Sequence, residues 1–154
     1  MIAVLQRVSR ASVISDGVPT GEIADGLFIL LGVLDGDDTE DALLLAEKIA
    51  KLRIFTDDAD KMNLSVKDIG GGALVVSNFT LAANYAKGNR PDYLAAAHPS
   101  VAEPLYEHFV SLLAERVEKV ATGRFGADMK ITLTADGPVT ILMDSSRLRK
   151  GGHR

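Results

Sequence analysis

Five consecutive residues, Ser77-Asn78-Phe79-Thr80-Leu81, set two hydroxyls, an amide and an aromatic ring at the end of an apolar run, Ala73-Leu74-Val75-Val76. Strand ends are where a rigid scaffold commonly presents functional side chains. Either hydroxyl could attack an ester or amide, but a hydroxyl nucleophile needs a base within hydrogen-bond reach. No histidine or carboxylate lies within the stretch; Asp92 and His98 are downstream groups that folding could bring to it. The competing use is structural, with the polar groups satisfying loose backbone where the strand stops. Chemistry alone leaves the two readings level.

A second constellation is Ala135-Asp136-Gly137-Pro138-Val139-Thr140. Asp-Gly between strand-like runs is the signature of a tight hairpin turn. Pro138 disturbs that reading, because it removes a backbone donor where pairing should resume. Gly-Pro can also be cis, a state of about 5–6% of X-Pro bonds in folded proteins. A cis bond between a residue without a side chain and one without an N–H would present bare carbonyls to a bound molecule. Two further glycine-containing stretches, "AKGNRP" (86–91) and "TGRFGADM" (122–129), read first as surface turns. The second could also let backbone approach a ligand closely.

Composition excludes several chemistries. The chain of 154 residues has no cysteine, so no disulfide, thiolate nucleophile or thiolate metal site is available. His98, His108 and His153 lack metal-ligand spacing, and neither a metal nor a cofactor is expected. The start, MIAVLQRVSR, has no leader pattern, and no apolar run approaches ~20 residues. The expectation is a cytoplasmic protein without membrane contact. Net charge is −4, yet the last ten residues carry Arg147, Arg149, Lys150 and Arg154 and no acid. The body is therefore acidic, which argues against broad non-specific binding to nucleic acid. A short basic, glycine-containing terminus could be a phosphate-seeking arm, but reads first as a disordered tail over 145–154.

These residues must be positioned by one domain, as no linker or repeat interrupts the chain. Residues 1–9 alternate as a half-buried strand. Ser12-Val13-Ile14 and Glu22-Ile23 flank "SDGVPTG" as a hairpin. "LFILLGVL" (27–34) has the continuous apolar character of a strand covered on both faces. Asp38 or Thr39 then caps a helix with Ala42, Leu45, Ala46, Ile49 and Leu52 on one stripe. Short strands are expected at Arg53 to Phe55 and 73–77. A second helix is expected over roughly 100–119, with a capping box of Ser100 and Glu103 and Pro104 in the first turn. "MKITLTA" and "VTILMD" read as two strands bracketing Asp136-Gly137-Pro138. The sum is an α+β fold, a mostly antiparallel, barrel-like sheet with two main helices.

"SNFTL" resembles the SQFTL signature of the D-aminoacyl-tRNA deacylases, and "DGPVT" their second signature, NxGPxT. The likeness takes in "QRV", "MNLSVKDIGGGALVVS", "KGNRPDY", "HPSVAEPLYEHF" and "TGRFGADM", and covers residues 1–144 as a deacylase domain. The resemblance implies a homodimer with its active site at the subunit interface, hydrolysing the ester that joins a D-amino acid, or glycine, to the aminoacyl end of tRNA. It implies that Ser77, Phe79 and Thr80 form the catalytic pocket, with Asn78 and Ala97 beside the substrate. Gly137 and Pro138 would reach across the dimer, hold the α-amino group and exclude the L-enantiomer, and Arg7 would brace them. Chemistry would lean on backbone groups and the ribose 2′-hydroxyl rather than on a side-chain nucleophile. Two positions depart from the signatures: Asn78 stands in place of glutamine and Ala135 in place of asparagine.

Three other readings compete. One is a small-molecule esterase or amidase with Thr80 as nucleophile. Another is a paralogue with a trans Gly-Pro bond that accepts L-aminoacyl-tRNA, against which Arg7 speaks, since the resembling family pairs arginine there with the cis form. The last is a binding-only protein, hinted at by Asn78 and Ala135 alone.

Overall fold

In the computed structural model of the protein, which describes residues 1–149, the N-terminal alternation runs unbroken as one long strand, β1 (Ile2–Ser15). Ala3, Leu5, Val8, Ala11 and Val13 are its buried apolar residues. Asp16 and Gly17 both adopt positive φ, 48° and 80°, and turn the chain into β2 (Val18–Ile23), antiparallel to β1. Such a turn matches the right-handed twist of the strands it joins. β3 (Gly26–Gly32) pairs antiparallel with the first half of β1 and is buried along nearly its whole length.

Asp38 caps α1 (Thr39–Lys51), in a capping box completed by Asp41. Ala42, Leu45, Ala46 and Ile49 face the core, and Leu52 closes the helix half-buried. The helix is the crossover that lets β6 (Gly72–Ser77) lie parallel to β3. Before it, β4 (Phe55–Thr56) and β5 (Met62–Leu64) form a minor hairpin, so the strand expected from Arg53 shrinks to two residues.

The second helix, α2 (Pro99–Ala114), corrects three expectations. Its cap is His98, whose Nδ1 accepts from the Ser100 N–H at 3.3 Å, rather than a Ser100–Glu103 box. Pro99 takes the first helical position, where no N–H is needed. Pro104 therefore falls beyond the first turn. The helix also stops at Ala114, because Lys119–Thr122 leave it as β7, a parallel strand on the edge of β6. The sheet is mostly antiparallel, as expected, with a parallel portion through β3, β6 and β7. It nearly closes, since a side chain at Gly21 of β2 would lie 2.6 Å from the Thr122 carbonyl of β7.

The expected hairpin at Asp136-Gly137-Pro138 is absent. Residues 129–144 form one strand, β8 (Met129–Asp144), and both halves pair with β1. Ala135 lies opposite Val8 and Thr140 opposite Gln6, so the residues between them bulge out beside Arg7. A bulge accommodates a proline that cannot donate to the ladder.

Two apolar cores result. One packs both helices on the sheet around Leu45, Ile49 and Phe109; the other fills the barrel with Val8, Ile23, Phe28 and Leu74. The boundary drawn at 144 also shifts. Ser145–Arg147 make a single 3-10 turn, Ser145 is buried, and Arg149 pairs with Asp38 and Asp41 at 2.5 and 2.6 Å. Residues 145–149 therefore belong to the packed body, while Lys150 and the rest of the expected tail lie outside the described residues.

Candidate active site

Parallel strands expose their last residues at one end of a sheet, and bound molecules commonly collect there. At the C-terminal ends of β3 and β6 lies a cavity of about 1020 Å³. Ser77, Asn78, Phe79 and Thr80 form one wall as β6 ends. Tyr93, Leu94 and Ala96 to Pro99, including Ala97, form a second, and Phe125 to Met129 a third. Five of the expected site residues, Ser77, Asn78, Phe79, Thr80 and Ala97, thus meet around one space.

The first wall is built locally. Asn78 caps a single 3-10 turn over Phe79–Ala82, and its Oδ1 accepts from the Thr80 N–H at 3.1 Å and from Thr80 Oγ1 at 2.5 Å. The shorter amide arm at this position is therefore occupied by its own turn. The Thr80 proton goes to an amide oxygen, which is no base. The Phe79 ring is 60% exposed, and Tyr93 meets it edge-on with centroids 5.1 Å apart. A large apolar face so presented is a platform for a flat ligand.

His98 does reach the cavity, but its Nδ1 faces Ser100 Oγ at 2.8 Å. Asp92 does not; it closes a neighbouring loop against Asn84. Tyr106 lies deeper, where burial pushes its hydroxyl up to about 12 and keeps it a neutral donor to the Val75 carbonyl at 2.9 Å. The walls contributed by Tyr93 and by Phe125 to Met129 were not marked as site residues by sequence reasoning. The glycines of "TGRFGADM" were the available signal, and the turn reading outweighed it.

Gly137, Pro138 and Arg7 stand elsewhere. Ile131 of β8 lines the cavity, but Gly137 is roughly 20 Å further along the strand at its usual rise. The Gly137–Pro138 peptide bond is cis. Both residues are exposed. A Cβ on Gly137 would sit 2.1 Å from the Val139 backbone nitrogen, so no other residue fits this path. Arg7, with its side chain 11% exposed, donates from Nε to the Asp136 carbonyl at 2.9 Å and from Nη1 to the Ile54 carbonyl at 2.8 Å.

Known proteins resemble this chain over nearly its whole length. Residues 4–144 match the model of a protein family described as D-Tyr-tRNA(Tyr) deacylase. A D-aminoacyl-tRNA deacylase of Cereibacter sphaeroides is 57% identical, over 94% of this chain and 100% of its own length. Another, of Anaeromyxobacter dehalogenans, is 55% identical over 96% of this chain and 99% of its own. Among solved structures, the c-Myc DNA Unwinding Element Binding Protein superposes with a TM-score of 0.87 at 39% identity, covering 94% of this chain and 98% of its own. A probable eukaryotic D-amino acid tRNA deacylase superposes at 0.78 with 17% identity over 92% of this chain, a likeness of fold alone. No helix among the described residues is long and apolar enough to cross a membrane.

Proposed function

The chain belongs to the D-Tyr-tRNA(Tyr) deacylase family, and we propose that it hydrolyses the ester bond of D-aminoacyl-tRNA, releasing free tRNA and the D-amino acid. Gly-tRNA is a second substrate and L-aminoacyl-tRNA is spared. The work is done in the cytoplasm, on the aminoacyl end of the tRNA.

One observation carries the chemical reading. Thr80 Oγ1 donates to Asn78 Oδ1, so the hydroxyl at the strand end is engaged by an amide oxygen rather than by a base. A threonine so held is a poor attacker at neutral pH. The nucleophile is instead water, assisted by the terminal ribose 2′-hydroxyl. Water adds to the ester carbonyl, the bond to the ribose 3′-oxygen breaks, and that oxygen leaves with a proton. Ser77 and Thr80 position the aminoacyl group, Asn78 holds their turn, Phe79 supports the terminal adenine, and Ala97 leaves room beside it.

Selection at the α-carbon falls to Gly137 and Pro138 of a second copy. Their distance from the cavity of their own chain supports this. So does β8, which among the described residues is an edge strand with one side unpaired, and whose Leu142 is 68% exposed. Main-chain carbonyls accept from the α-ammonium common to all substrates and cannot swing aside like a rotamer. An L-side chain is then directed into a wall, while glycine has none to clash. The acyl-Thr80 esterase reading lacks its base, and nothing in the cavity favours it.

The test replaces the terminal 2′-hydroxyl of D-Tyr-tRNA with hydrogen. Deacylation should fall by most of its rate, and an unchanged rate would contradict the assignment. Light scattering should give a dimer; a stable monomer at working concentration would remove the shared site.

A further inference from the structure

Between two walls of the cavity, Ser77–Thr80 and Tyr93–Pro99, residues 84–92 leave the body as a loop closed at its base. Asn84 and Asp92 exchange both backbone hydrogen bonds at 2.9 Å, and Asn84 Nδ2 donates to the Asp92 carboxylate at 3.1 Å. Asp92 Oδ1 also accepts from the Leu94 N–H at 3.2 Å. The one acid of the loop is therefore occupied by its own frame. Lys87 and Arg90 are exposed and make no ion pair among the described residues; other surface cations such as Lys67 share that, and what sets these two apart is their place on a loop between two walls of the cavity. Tyr85, between the closure and Lys87, is 78% exposed.

We propose that this loop grips the single-stranded RNA just upstream of the terminal adenosine, with Lys87 and Arg90 on phosphates and Tyr85 stacked on a base; this rests on the reading of the cavity as the aminoacyl-end site. A chain of net charge −4 repels a polyanion overall, so attraction must be local and beside the cavity. Unpaired cations next to an exposed aromatic ring are the combination that holds single strands: charge follows the backbone and the ring takes a base face. A duplex would ask for a broad basic surface instead, and two cations on one loop do not provide it.

The test is binding rather than turnover. It uses a labelled, unacylated single-stranded RNA of about six nucleotides ending in CCA, a length within the usual site size for such strands. Anisotropy titrations across salt should give a smaller slope for the Lys87→Gln/Arg90→Gln variant, by about 1.4 in log Kd against log salt. Equivalently, the wild type should lose about sevenfold more affinity than the variant between about 50 and 200 mM salt. Tyr85→Ala should weaken binding at every salt concentration with the slope unchanged, and Tyr85→Phe should restore it. Lys67→Gln, an exposed cation near the opposite end of β6 from Ser77, is the control and should keep the wild-type slope. An unchanged slope in the double variant, or an equal loss in the control, would overturn the proposal. The RNA carries no ester, so a protein that binds it through the loop yet hydrolyses no aminoacyl-tRNA would sink the deacylase reading and leave this one standing.

Discussion

Arg7 and Asp136, 129 positions apart in sequence, are joined where β8 bulges: Arg7 Nε donates to the Asp136 carbonyl at 2.9 Å while Nη1 holds the Ile54 carbonyl at 2.8 Å. One rigid fork therefore spans two backbone segments and fixes the approach to Gly137. Arg7→Ala should cost about 1–3 kcal/mol in chemical denaturation, the usual penalty for orphaned acceptors of a charged donor. It should also lower kcat/KM on D-Tyr-tRNA. Arg7→Lys should recover little, because a point charge cannot span both acceptors. Full recovery with lysine would mean that charge alone matters.

Gly137 allows a more local test. A Cβ there meets the Val139 nitrogen at 2.1 Å, so Gly137→Ala must shift backbone. Displacements of about 1 Å in substrate-positioning groups can cost on the order of a hundredfold in rate. Deacylation should fall steeply, and the urea midpoint should drop as well, because the clash is with backbone rather than with a flexible side chain. An active Gly137→Ala enzyme would detach this turn from the site.

Thr80→Ala should keep substantial deacylation of D-Tyr-tRNA. Its hydroxyl donates to Asn78 Oδ1, and its loss removes a contact within the turn rather than an attacking group. Mass spectrometry of the quenched reaction should find no acyl adduct on Thr80. A trapped adduct would restore the side-chain nucleophile.

Phe79→Ala should raise KM by about 5- to 150-fold, the equivalent of about 1–3 kcal/mol for one stacked base, with a smaller change in kcat. A loss confined to kcat would give the ring a role in the chemical step instead.

The sequence made the cap of α1 and the apolar runs plain but not the cap of α2 or the long-range pairing. Asp38 and the stripe through Ile49 announce α1 because capping and the 3.6-residue period are local. Asp136-Gly137-Pro138 reads as a hairpin for the same local reason. What overrides it is β1, long enough to pair with both halves of β8, and no nearby residue signals that. The end of α2 was overrun because Val117 continues the apolar stripe, although Val120 and its neighbours go to the edge of β6. In the site, "SNFTL" was legible as a motif, whereas its meeting with Tyr93 and Phe125 depends on contacts across the fold.

The C-terminal segment gives a pH dependence. Burial pushes the Asp41 carboxyl up, but hydrogen bonds from Arg149, the Asp38 backbone and Ser145 outweigh it and hold the group at about 2, below its ordinary 3.8. A depressed folded value stabilises the protein above the unfolded value, and that contribution is lost as pH falls through the folded one. Stability should therefore drop by about 2 kcal/mol as pH is lowered from about 4 to about 2. Denaturant titrations should find that drop reduced in Asp41→Asn; an identical acid profile would remove the pairing with Arg149 from the account.

The central claim is selection at the α-carbon by the main chain of Gly137 and Pro138, and it is tested by initial deacylation rates on D-Tyr-tRNA, L-Tyr-tRNA and Gly-tRNA under one set of conditions. The account predicts turnover of the D-aminoacyl and glycyl esters, with the L-ester left at its spontaneous rate. Equal rates on D- and L-Tyr-tRNA would contradict it.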